Sequence, residues 1–161
     1  MNLFISGWAG FKEALGDIQE DWHFINPFID FDEKGILDFL KDKSCDKVVG
    51  WSTGGHIILK NIRFFSERFN QVIVVAGFRK FTAYVNPRVL KRMIQKLGSE
   101  PTIVIRNFLL NAGCNPVFPE YVDTAKLIEG LKFLLFSEVP DKNETIKNLI
   151  LIHGQSDKIL P

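Results

Sequence analysis

The sequence predicts an α/β fold: a mostly parallel sheet of about five strands with a helical segment inserted before the last one. Three observations carry this. Short apolar runs of β-formers alternate with amphipathic helical stretches through the first half of the chain. The run Val48-Val49-Gly50-Trp51-Ser52-Thr53-Gly54-Gly55 takes an apolar strand straight into G-x-S-x-G, and a helical pattern follows. From about Phe78 to Lys147 the alternation stops and the pattern is helical, before Leu149 to Ile152 returns as a strand.

In order, Met1 to Ser6 reads as a strand that Gly7 ends, followed by a loop over Gly7-Trp8-Ala9-Gly10 and a short helix from Phe11 to Leu15. Trp22 to Ile25 is a second strand, closed by Asn26-Pro27. Asp32 suits the N-cap of a helix reaching about Lys43, with Ile36, Leu37 and Leu40 inward. Lys47 to Trp51 is the strand before Ser52. The helix after it is expected to run to about Phe69, with Ile58, Ile62, Phe65 and Phe69 as its buried stripe. Val72 to Ala76, continuously apolar, reads as a buried parallel strand. Asn86-Pro87 opens a helix that Gly98 closes, Ser99 and Pro101 open another that ends near Gly113, and a third spans about Glu120 to Phe136.

With 161 residues, 46% of them hydrophobic, the chain reads as one domain able to bury a core. A net charge of +1 excludes a globally polyanion-binding protein, and no nucleic-acid partner is expected. No apolar run approaches a membrane span, and the start, Leu3 to Ile5, is too short for a signal peptide. Cys45 and Cys114 are therefore expected to be reduced thiols in a cytoplasmic protein. The cysteines and three histidines are scattered, so no metal is expected. No glycine-rich phosphate loop occurs and no cofactor is implied.

Ser52 is the candidate nucleophile. A serine hydroxyl is weak unaided and needs a base and donors for the developing oxyanion. A tight strand-to-helix turn leaves no room for side chains at Gly50 and Gly54. The expected oxyanion donors are the backbone N–H groups of Thr53 and of Trp8 in the loop after the first strand. Asp157, in the His153-Gly154-Gln155-Ser156-Asp157 loop after the last strand, fits the orienting acid. The base has no clear bearer among His153, His56 and His23. Arg88, Lys91, Arg92 and Lys96 recur at helical spacing as one basic face, with Leu90, Met93, Ile94 and Leu97 opposite, where they would cover an acyl chain over Ser52.

These motifs resemble the α/β-hydrolases of biotin synthesis, the pimeloyl-acyl-carrier-protein methyl ester esterases of the BioH and BioG types. F-I-S-G-W-A-G is similar to their oxyanion segment and G-W-S-T-G-G to their W-S-x-G elbow. P-R-V-L-K-R-M-I-Q-K-L with I-R-N-F-L-L-N-A-G resembles their lid, and L-I-L-I-H-G-Q-S-D-K-I-L-P their acid loop. The resemblance implies a single truncated α/β-hydrolase domain with a helical lid at about 79–147. Against that family the chain lacks the usual first two strands and the final strand, helix and histidine. It implies a serine carboxylesterase with Ser52 as nucleophile, Asp157 as acid, and Trp8 and Thr53 as oxyanion donors. The substrate would be an acyl ester carried by an acidic acyl carrier protein, which the basic helix face would dock. The alternative is a catalytically impaired or inactive hydrolase-fold protein or fragment that binds acyl groups or the carrier. The sequence fixes no oligomeric state.

Overall fold

The computed structural model describes residues 1–16, 21–141 and 144–161. The strands are β1 (Asn2–Ile5), β2 (Trp22–Ile25), β3 (Cys45–Trp51), β4 (Phe69–Val75) and β5 (Leu149–Ile152). They form one all-parallel sheet in the order β2-β1-β3-β4-β5. The helices are α1 (Glu33–Leu40), α2 (Thr53–Lys60), α3 (Ile62–Arg68), α4 (Pro87–Leu97), α5 (Pro101–Asn111) and α6 (Thr124–Phe136). Single 3₁₀ turns lie at Lys12–Ala14 and Phe81–Ala83. The fold is α/β, and α4, α5 and α6 all lie between β4 and β5 in the chain.

Side-chain caps set the starts of α1, α4 and α6. Asp32 caps α1 by accepting the Gly35 N–H at 2.7 Å. Asn86 caps α4 by accepting the Arg88 N–H at 2.9 Å, and Pro87 fills the first helical position. β3 and β4 start earlier than the sequence reading has them, at Cys45 and Phe69, and three helix boundaries differ as well. α1 ends at Leu40 rather than near Lys43. The last of the three inserted helices starts at Thr124, not Glu120, because Asp123 caps it through the Lys126 N–H.

The third difference is the larger one. The single helix expected from Ser52 to Phe69 breaks at Asn61, whose backbone leaves helical values at φ −117° and ψ 34°. Its amide donates to the Ile57 carbonyl and to Glu33 at 2.8 Å, and Lys60 donates to the other Glu33 oxygen at 2.7 Å. Phe69 is the first residue of β4, paired with Cys45, so it is buried from a strand and not from a helical stripe.

Two buried clusters result. Leu3, Ile5, Val48 and Val72 on one sheet face meet Ile36 of α1, Ile57 and Ile58 of α2, and Phe65 of α3. The second cluster joins α4, α5 and α6 through Leu90, Ile105, Leu127 and Leu131, and it includes Trp8 from the loop after β1. The other sheet face carries Phe4, Phe24, Val49 and Ile73, all only partly buried. β5 lies at the sheet edge with Ile150, Leu151 and Ile152 exposed.

This division makes a contrast measurable. Ile58→Ala, at a fully buried position, is expected to lose about 2–5 kcal/mol of stability. Ile152→Ala, at a position half exposed on β5, is expected to stay within about 0.5 kcal/mol of the parent. Urea midpoints of the two variants check the pair, and equal losses would contradict the assignment of the core.

Candidate functional site

The chain enters the sheet at β1, steps to one side to form β2, and then crosses to the other side for β3. The strand order therefore reverses between β1 and β3, the place in an open α/β sheet where the loops at the carboxyl ends of two neighbouring strands lead to opposite sides. Ser52 immediately follows β3, and Gly7-Trp8 closely follow β1.

Ser52 has φ 53° and ψ −111°, values that a residue with a Cβ adopts only under strain. Ala9 after β1, Phe28 after β2 and Ala76 after β4 also have positive φ. All four non-glycine residues of this kind among the described residues thus sit just past the carboxyl end of a strand. The surroundings hold the Ser52 turn in place. Its N–H continues the sheet ladder to the Val75 carbonyl at 2.9 Å, and its carbonyl accepts from His56 N–H at 2.9 Å as the first bond of α2.

The glycines are required by contact, as the sequence suggested. A Cβ on Gly54 would lie 2.1 Å from the Ile5 carbonyl oxygen, and one on Gly50 2.8 Å from the Gly54 backbone. A Cβ on Gly7 would lie 3.1 Å from the Ser52 Cβ, so the loop after β1 runs directly against Ser52. Gly54 N–H donates to the Ser6 carbonyl at 2.9 Å and ties the start of α2 to the end of β1.

The Ser52 side chain is partly exposed, does not cap its own helix, and has no hydrogen-bond partner among the described residues. The Thr53 N–H, the first of α2, lacks an intrahelical acceptor. The Trp8 N–H donates to Thr53 Oγ1 at 3.1 Å. The two expected oxyanion donors thus share one short stretch beside Ser52, and the Thr53 hydroxyl takes up the Trp8 amide.

The Trp8 indole is buried and reaches across to the inserted helices. Nε1–H donates to the Leu127 carbonyl of α6 at 2.8 Å, and the ring meets Phe108 of α5 edge-on at 4.8 Å. Gly130 makes room for it, since a Cβ there would lie 2.7 Å from Trp8 Cδ1. A glycine in the interior of a helix was the one sequence signal for this contact.

The three histidines take other roles. His56 is fully buried. Nδ1 lies 2.9 Å from the Phe78 carbonyl, which can only accept, so Nδ1 carries the proton of the neutral ring. Nε2 then accepts from the Ser137 hydroxyl at 2.8 Å, and its lone pair is committed. The ring also stacks on Phe78 at 4.8 Å. Burial pushes the His56 pKa below its ordinary 6.5, against a raising contribution from the Phe78 carbonyl. His153 donates Nε2–H to the Leu160 carbonyl at 2.7 Å, within its own loop. His23 is exposed on the edge strand β2, stacked on Phe39 at 5.2 Å. None of the three hydrogen-bonds to Ser52 or Asp157.

Asp157 lies in the loop after β5, two strands from β3. Its Oδ1 accepts the Ile159 and Leu160 N–H groups, both at 2.8 Å. Its Oδ2 has no partner among the described residues. Arg88, Lys91, Arg92 and Lys96 are exposed along α4 without ion-pair partners among the described residues. The opposite face of α4 packs Leu90 and Leu97 into the helical core, with Met93 and Ile94 at its margin.

Cys45 and Cys114 are free thiols, both raised in pKa by burial. No group of three or more His, Cys, Asp or Glu able to hold a metal ion occurs among the described residues. No helix among them is long and apolar enough to cross a membrane. Searches of family models and of curated proteins return no match to the chain.

The buried histidine makes stability pH-dependent in a definite direction. The folded chain holds His56 neutral to lower pH than the unfolded chain does. Acid therefore loads protons onto the unfolded state, and stability complete above pH 6.5 falls as pH drops below it. His56→Gln is expected to lose about 1–3 kcal/mol at pH 8 through its broken hydrogen bonds. It should also decline less steeply than the parent between pH 6.5 and 5. Parallel urea midpoints for the two proteins over that interval would contradict the role given to His56.

Proposed function

We propose that this chain is a serine carboxylesterase that hydrolyses an acyl ester through an acyl-Ser52 intermediate. The observation that carries the reading is the Ser52 turn: a strained φ of 53° at the carboxyl end of β3, with a partly exposed, uncommitted hydroxyl. Such strain is kept where the turn aims a side chain. The loop carrying Trp8 lies against it, so an ester carbonyl seated at Ser52 would find the Thr53 N–H on one side. The Trp8 N–H would come on the other once the Thr53 hydroxyl yields it. Attack by Oγ on the carbonyl carbon forms the acyl-Ser52 ester and breaks the bond to the alkoxy oxygen, which leaves as the alcohol with the Ser52 proton; water then adds to the acyl carbon, releases the acid and returns a proton to Oγ.

On this reading the segment containing α4, α5 and α6 is the lid of an α/β-hydrolase, anchored over the site by the Trp8 indole. Pimeloyl-acyl-carrier-protein methyl ester is the substrate that the family resemblance suggests. The exposed cations of α4 fit an acidic carrier protein. Asp157, with Oδ2 uncommitted, stands as the acid at the end of β5.

One observation favours a second reading, a hydrolase-fold protein that binds acyl groups or the carrier without turnover. No histidine touches Ser52, and both nitrogens of His56 are engaged elsewhere. Without its base, a triad enzyme retains only a small residual rate from its oxyanion site.

A fluorophosphonate probe and p-nitrophenyl butyrate separate the two. The esterase reading expects covalent labelling and ester turnover by the parent, with both abolished in Ser52→Ala. Labelling that survives in Ser52→Ala would remove Ser52 from the mechanism. A folded parent with neither labelling nor turnover would leave the binding reading in its place.

A further inference from the structure

We infer that a second site, separate from Ser52, binds a fatty carboxylate in the cavity between α4, α5, α6 and the loop after β5. The cavity measures about 660 Å³ and does not include Ser52, Thr53 or Trp8 in its lining. That volume lies within the roughly 300–1,000 Å³ typical of small-ligand sites.

Helical spacing gives the cavity two matching walls. On α4, Val89, Arg92, Met93 and Lys96 fall at i, i+3, i+4 and i+7, and all four line it. On α5, Val104, Asn107, Phe108 and Asn111 repeat that spacing and line the facing side. Leu131 and Leu134 of α6 add apolar surface. Each wall therefore alternates apolar side chains with cations or amides along one stripe.

Two features select the ligand. First, apolar side chains that line the cavity stay in water: Tyr84 is 53% exposed, Val89 45% and Ile103 49%. An alkyl chain laid there would remove that surface from water. Second, the charge on the lining side chains is one-sided. Arg92, Lys96 and Lys158 line the cavity, no Asp or Glu does, and none of the three cations has a carboxylate partner among the described residues. Asn107 and Asn111 add amide donors that make no hydrogen bond among the described residues. An apolar cleft with unpaired cations and amide donors suits an alkyl chain ending in a carboxylate. It disfavours a neutral lipid, which would leave the cations unanswered, and a cationic amphiphile, which they would repel.

Phe108 forms part of the cavity wall and also packs edge-on against Trp8. One aromatic ring thus separates the bound chain from the residue that links the Ser52 turn to the inserted helices. The inference does not rest on the esterase reading: it uses none of Ser52, Thr53 and Trp8, and shares with that reading only the α4 cations Arg92 and Lys96.

The test is calorimetric titration of the intact chain with dodecanoate, dodecanol and acetate, repeated on Arg92→Glu/Lys96→Glu, Met93→Trp and Ser52→Ala. Dodecanoate is expected to bind one to one, dodecanol about tenfold or more weakly, and acetate not measurably. Arg92→Glu/Lys96→Glu, both at exposed positions, should weaken dodecanoate about tenfold or more with an unchanged circular dichroism spectrum. Met93→Trp should reduce binding by filling the cleft. Ser52→Ala should bind as the parent does, which keeps this result independent of catalysis. Absence of dodecanoate binding to folded parent up to about 1 mM would overturn the site. So would equal affinity for dodecanol, or affinity unchanged by the two charge reversals.

Discussion

The fold turns on a close approach between the end of β1 and the start of α2. Gly54 has to lie where a Cβ would sit 2.1 Å from the Ile5 carbonyl oxygen, and its N–H closes that contact onto Ser6. A helix held this near the neighbouring strand must start abruptly after β3, with no intervening loop. The chain makes that reversal in one residue, and Ser52 takes the positive φ it demands. The same contact brings Gly7 against Ser52, so the partly exposed hydroxyl and the loop after β1 become neighbours as a consequence of packing.

Trp8 extends this constraint to the rest of the molecule. The sheet with α1, α2 and α3 forms one buried cluster, and α4, α5 and α6 form another. Trp8 lies three residues after Ile5, the last residue of β1, yet its indole belongs to the second cluster and donates to Leu127. Its backbone N–H meanwhile bonds Thr53 at the start of α2. One residue thus couples the start of α2 to the helical segment, the first through its main chain and the second through its side chain. His56 adds a second tie, from α2 to the Phe78 carbonyl and to Ser137 beyond α6.

The features legible in the sequence were those written in local sterics. Gly50 and Gly54 flank Ser52 because neighbouring backbone excludes a Cβ, and Asp32 and Asn86-Pro87 announce helix starts by their own side chains and ring. What escaped reading depends on residues far apart in the chain. The break at Asn61 follows from its bond to Glu33, 28 positions away. The fate of His56 depends on Ser137, 81 positions away. Periodicity alone continued the helix to Phe69, because Phe69 is as apolar in a strand as on a helical stripe. The α4 cations were legible as a basic face, but only the packing of α4 beside α5 shows that Arg92 and Lys96 border a cavity.

The most direct measurement of this account compares Gly54→Ala with Gly154→Ala by urea unfolding. A Cβ at Gly54 meets the β1 backbone, whereas one at Gly154 meets nothing within 4 Å. Gly54→Ala is expected to lose about 3 kcal/mol or more, and Gly154→Ala to stay within about 0.5 kcal/mol of the parent. A Gly54→Ala protein as stable as the parent would contradict the claim that strand-to-helix contact shapes the Ser52 turn.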